Sequence, residues 1–84
     1  MTRLWPQGDP ITVASDAAAA PLHFAWRGQT HRVAAIVRTW RVDVEWWRGR
    51  IWRANYKLST DTGLLVEIYQ DLLSGRWYLQ RLYD

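Results

Sequence analysis

The residues best equipped for chemistry lie between Arg38 and Arg53. That stretch carries Trp40, Trp46, Trp47 and Trp52 among Arg38, Arg41, Arg48, Arg50 and Arg53, with only Asp43 and Glu45 opposing the charge. Indole faces stack on nucleobases and guanidinium groups pair with phosphates, which together hold single-stranded nucleic acid. The same residue types dominate the centres of protein–protein interfaces. Their bland use is structural: rings in the core, with arginine stems packed on them or paired with acids. The candidate binding residues are Arg38, Trp40, Arg41, Trp46, Trp47, Arg48, Arg50 and Arg53. Because Trp46 and Trp47 are adjacent and break the local alternation, one of them points away from its neighbour. Trp26, Trp52 and Trp77 are assigned to the core.

Catalytic constellations are weak. Asp43 and Glu45 are two apart and share one face of a strand, the arrangement from which a split-pKa carboxylate pair could be built. They sit among arginines, however, and exposed ion pairing accounts for them. Ser15, Ser59 and Ser74 lie at turns with no nearby histidine, and no glycine-rich phosphate loop occurs. The expectation is a non-enzymatic module with no catalytic residue, cofactor or metal.

A chain of 84 residues makes one domain. It holds no cysteine, so neither a disulfide nor a thiolate zinc site can brace it. Packing must do so, and the chain has 7 tryptophans for the purpose. The formal net charge is +3, and every basic residue except Lys57 is arginine. That bias permits a nucleic-acid partner without demanding one. No apolar run approaches the ~18–20 residues of a membrane span. Met1 to Trp5 is not followed by a long apolar segment, so no secretory signal is read and a cytoplasmic location is expected.

The elements that would position these residues are strands. Residues 1–9, with Pro6, Gly8 and Asp9, show no periodicity and are read as a mobile arm whose Trp5 docks on its own domain. Residues 10–84 form the domain. Ile11 to Ala14 begins a first short strand, and Ala17 to Ala20 before Pro21 is a loop with at most one helical turn. Leu22, Phe24 and Trp26 alternate with His23 and Ala25. A two-residue turn at Arg27-Gly28 then sets Phe24 opposite His31, with Leu22, Phe24 and Trp26 sharing a face with Val33, Ala35 and Val37. This register separates His23 from His31, so they share no metal.

The strand from Thr30 continues past Thr39 through Trp40, Val42 and Val44, and Arg48-Gly49-Arg50 turns the chain. Trp52, Ala54, Tyr56 and Leu58 alternate with Arg53, Asn55 and Lys57. Asp61-Thr62-Gly63 is a hairpin turn. Leu64 to Gln70 returns, with Val66 and Ile68 on one face and Glu67 and Tyr69 on the other. After a turn over Asp71 to Gly75, Arg76 to Tyr83 is the closing strand. The expected fold is all-β: a five- to six-stranded antiparallel meander, curled or closed as a small SH3-like or open barrel.

The second half carries a resemblance. Trp40-Arg41, Trp46-Trp47, Asn55-Tyr56, Val66 to Tyr69 and Asp71 lead to Ser74-Gly75-Arg76-Trp77-Tyr78-Leu79 and Leu82-Tyr83-Asp84. This pattern resembles a small uncharacterised bacterial domain family, and a similar segment ends the ImuB-like homologues of Y-family translesion polymerases. Pro10 to Val37, with Trp26-Arg27-Gly28, looks like the stand-alone members of the same family. The polymerase-like body and its acidic metal-binding motifs are absent from this sequence, so nucleotidyl transfer is not implied. The resemblance implies an accessory module in DNA damage tolerance or translesion mutagenesis.

The functional expectation is therefore a module that docks a protein partner. Single-stranded DNA bound through residues 38–53 is the alternative. A homodimer formed through an edge strand is the third.

Overall fold

The alternation of apolar and polar residues along most of the chain is realised as extended strands. The computed structural model describes residues 2–83, and of Trp46 the backbone alone. Its strands are β1 (Arg3–Ser15), β2 (Pro21–Trp26), β3 (Gln29–Trp46), β4 (Gly49–Thr60), β5 (Leu65–Asp71) and β6 (Trp77–Tyr83). Each pairs antiparallel with the next, and β6 returns to β1, so the hydrogen bonds run round a closed ring. This is the expected six-stranded meander with its edges joined. No helix forms among the described residues, so none there is long and apolar enough to cross a membrane. The alanines at 17–20 form a turn in which the Asp16 carboxylate accepts from the N–H groups of Ala18 and Ala20, at 2.8 and 3.0 Å.

The Arg27-Gly28 turn forms as its residues require. Both adopt positive φ, 50° and 78°, the twist that suits a two-residue hairpin. Phe24 stands opposite His31, as the alternation predicts. Phe24 is fully buried, but Leu22 and Val37, read as sharing its inward face, are exposed. For Leu22 the cause is the break in register between β1 and β2 beside it, where His23 faces Ala14 but Pro21 faces Ser15; for Val37 it lies in β3. Its register against β4 slips between Val33 and Ala35 and again between Ile36 and Arg38. These two bulges bend and twist the strand where it leaves β2.

The stretch read as an arm is corrected from Arg3 onward. Residues 3–9 are the first half of β1, with Arg3 opposite Leu82, Leu4 opposite Arg81 and Asp9 opposite Leu79. Between Leu4 and Asp9 the register is interrupted, which accommodates Pro6 and Gly8. Trp5 packs on its own domain as expected, edge-on to Trp26 with ring centroids 5.7 Å apart.

The core is small and aliphatic-aromatic. Phe24, Leu58, Val66, Ile68, Trp77 and Leu79 are buried together, with Trp5, Ile11, Val13, Trp26 and Tyr56 among the half-buried residues packed around them. Trp77 is thus core and Trp26 borders it. Trp52, also assigned to the core, lies outside this cluster, because its part of β4 extends beyond the ring. A polar network closes one end. The buried His31 shares a 2.6 Å hydrogen bond between Nδ1 and Thr62 Oγ1, and Thr62 Oγ1 in turn lies 2.8 Å from Thr60 Oγ1.

Candidate binding surface: the projecting hairpin and the outer sheet face

β3 is far longer than the neighbour on its first side. β2 pairs with it only over Gln29 to Arg32, whereas β4 pairs with it from Val33 to Trp46. On the other side of the hairpin, β5 pairs with β4 only from Arg53 to Ser59. The segment Val42 to Trp46 with Gly49 to Trp52 therefore projects from the ring as a two-stranded ribbon. Among the described strands, β3 touches only β2 and β4, so beyond Arg32 its second edge is open.

The turn falls on Trp47-Arg48, with Trp46 opposite Gly49, one residue earlier than Arg48-Gly49-Arg50. Trp47 stands at this tip with 82% of its surface exposed, and the Arg48 guanidinium lies 4.4 Å from its ring centre. This resolves part of the Trp46-Trp47 question: Trp47 is outward. The side chain of Trp46 lies outside the described residues.

Paired residues share a face of a sheet, which sorts the remaining candidates. Arg41 is opposite Ala54, Asp43 opposite Trp52 and Glu45 opposite Arg50. These continue the core-facing side out along the ribbon. There Arg50 donates from Nε and an NH2 group to the two carboxylate oxygens of Asp43, each at 2.9 Å, and stacks over Trp52 at 4.5 Å. The Arg50 hydrogen bonds hold the Asp43 carboxyl below the usual carboxylate range, and Asp43 raises the Arg50 guanidinium in return. Of the two carboxylates, Asp43 thus serves salt bridging. Asp43 is engaged by arginine, and no cluster able to hold a metal occurs among the described residues.

Arg38, Trp40 and Arg53 lie on the opposite, outer side. One row across the sheet runs Trp40, Asn55, Tyr69, Tyr78 and Pro10; the next runs Arg38, Lys57, Glu67, Arg81 and Leu4. Cations lie over rings along this face: Arg38 over Trp40 at 4.9 Å, Arg53 over Tyr69 at 4.3 Å and Lys57 over Tyr83 at 4.5 Å. Tyr69 is nonetheless only 2% exposed. It stacks on Tyr78 at 5.2 Å, and the irregular part of β1 crosses it, the Tyr69 hydroxyl donating to the Gln7 carbonyl at 3.3 Å. Burial pushes that hydroxyl's pKa up, while the Arg53 charge pulls it back.

The candidates therefore divide among three places. Arg38, Trp40 and Arg53 are on the outer face, Arg41 and Arg50 on the ribbon's other face, and Trp47 and Arg48 at the tip. Sequence reasoning missed Asn55, Lys57, Tyr69, Tyr78 and Tyr83 as companions of Trp40. Their alternation was visible; their alignment in rows needs the register of four strands.

A closed ring of six antiparallel strands with a projecting aromatic-cationic ribbon defines a small β domain. The chain belongs to the family described as Domain of unknown function (DUF6504), whose family model matches residues 4–84. No curated protein and no solved structure matches it.

Proposed function

We propose that this chain is a non-enzymatic binding module whose β3–β4 hairpin docks a protein partner. The observation that carries the reading is the tip. Trp47 is presented almost wholly to solvent at the end of a ribbon that has an open strand edge along one side. A solvent-facing indole costs desolvation of nothing in the fold, and it is the side chain that most often anchors an interface. The ImuB-like pattern in residues 40–84 supports a partner in a DNA damage-tolerance or mutagenesis assembly. The test is capture from lysate before and after DNA damage, with wild type and Trp47→Ala compared. A damage-tolerance component held by the wild type and lost by the variant supports the reading. Equal capture by both refutes it.

The outer face favours a second reading, single-stranded nucleic acid, because its cations are already interleaved with rings. Fluorescence titration with an oligonucleotide at several salt concentrations tests it. A steep salt dependence that becomes shallower in Arg38→Ala or Arg53→Ala supports it, and no binding at low salt removes it.

A further inference from the structure

We infer that the open edge of β3 takes the same edge of a second copy of this chain, paired antiparallel about a two-fold axis at Val42. The inference deepens the docking proposal and rests on the hairpin being a docking element.

The backbone is oriented for it. The two-residue turn makes Trp46 and Gly49 a hydrogen-bonded pair, so the N–H and C=O groups of Trp40, Val42 and Val44 point at β4. Those of Thr39, Arg41, Asp43 and Glu45 point to the open edge. The same parity appears on β4, where the Trp52 carbonyl faces away from β3 and accepts from Leu72 N–H at 2.9 Å. Such an edge is a template for another strand.

The side chains choose the partner and the register. With Val42 on the axis, Arg41 of each copy faces Asp43 of the other, twice over. Thr39 faces Glu45, Trp40 faces Val44 and Val42 faces itself. Cation meets anion on one face of the joined sheet, and apolar meets apolar on the other. Sliding by one step of the pleat puts Arg41 against Arg41 in one direction; in the other it sets Arg41 against Glu45 but brings Asp43 against Asp43 on the axis, and like charges directly opposite are destabilising. The lengths agree as well. In this register the tip of each copy comes level with Val37 and Ile36 of the other, both exposed. It stops short of Arg32, where β2 takes up the edge.

Sedimentation velocity over a concentration series reads the result. Wild type is expected to form a dimer. Arg41→Asp, which leaves the Asp43–Arg50 pair untouched, raises the dissociation constant roughly tenfold or more, and Asp43→Arg alone does the same. Mixed one to one, these two variants recover the dimer, because each repulsive pair becomes an attractive one. Thr39→Pro, which removes an edge N–H and no bond to β4, also yields monomer and covers the case in which Asp43→Arg unfolds the ribbon. A wild type that stays monomeric throughout, or a dimer indifferent to Arg41→Asp and to Thr39→Pro, overturns the inference. Either result leaves the docking proposal to its own test, the Trp47→Ala capture.

Discussion

Substituting Gly8 by alanine tests whether the irregular part of β1 is truly seated on the sheet. Gly8 and Gly28 have the same φ, +78°, but opposite surroundings. A Cβ at Gly28 meets nothing within 4 Å, whereas one at Gly8 comes within 2.6 Å of Tyr78 Cβ and 2.7 Å of the Tyr69 hydroxyl. The conformational cost is therefore common to both, about 1–2 kcal/mol for alanine in the left-handed region. Only Gly8→Ala adds the cost of forcing an atom into a filled space, about 1–3 kcal/mol. The Tyr78 contact is to Cβ, which cannot swing aside as a side-chain end can. Gly8→Ala should thus cost about 2–5 kcal/mol against about 1–2 for Gly28→Ala. With a urea slope of about 1 kcal/mol/M for a domain of this size, the midpoints should fall by about 2–5 M and 1–2 M. The total stability of such a domain is about 4–13 kcal/mol, so the Gly8 variant is expected to be largely unfolded at the low end of that range. Urea titrations of both variants, followed by tryptophan fluorescence, give the comparison. Equal losses would mean that residues 5–8 do not lie on Tyr69 and Tyr78, and the closed ring would lose its seam.

Three further outcomes are expected. Trp77→Ala should cost about 3–5 kcal/mol, as truncation of a buried aromatic does, whereas Trp47→Ala should stay within about 0.5 kcal/mol; chemical denaturation separates them. Thr62→Val should cost about 1–3 kcal/mol by stripping the buried His31 of its Nδ1 partner, visible as a lowered urea midpoint with unchanged slope. Arg50→Gln should return the Asp43 carboxyl toward the ordinary carboxylate range, read by carboxyl NMR titration. Because the folded value is depressed, the pair's contribution is present above the unfolded carboxylate pKa and is lost as pH falls through the lowered folded one.

Local signals carried much of this fold. The Arg27-Gly28 register could be read because a positive-φ turn and two alternating strands agree, and the structure sets Phe24 opposite His31 accordingly. The turns at Asp61-Thr62-Gly63 and after Asp71 were legible for the same reason. β1 before Pro10 was not. Pro6, Gly8 and Pro10 argue against a strand locally, and only long-range pairing to β6 holds residues 3–9 extended. The candidate stretch is legible as rich in indole and guanidinium groups, but its division among three places depends on which residue turns the ribbon. Trp52 illustrates this: its alternation with Ala54 and Leu58 is real, yet it stands beyond the end of the core. The burial of Tyr69 had no sequence signal, since its cover is a loop of β1 distant along the chain.

The pairing of β1 with β6 also sets the order of events during synthesis. β1 leaves the ribosome first but gains its second neighbour only once β6 has followed, so ring closure comes late and spans nearly the whole chain. Contacts of such sequence separation slow folding, and until they form, a nascent strand edge stays open to other polypeptides. Moving the chain break into the turn at Ala17, by joining the present ends with a flexible linker, would make that closure local and leave β1 and β2 as the pair at opposite ends of the chain. Such a permutant should keep the native pairing and fold at a similar rate, with β1 and β2 in place of β1 and β6 as the last to meet.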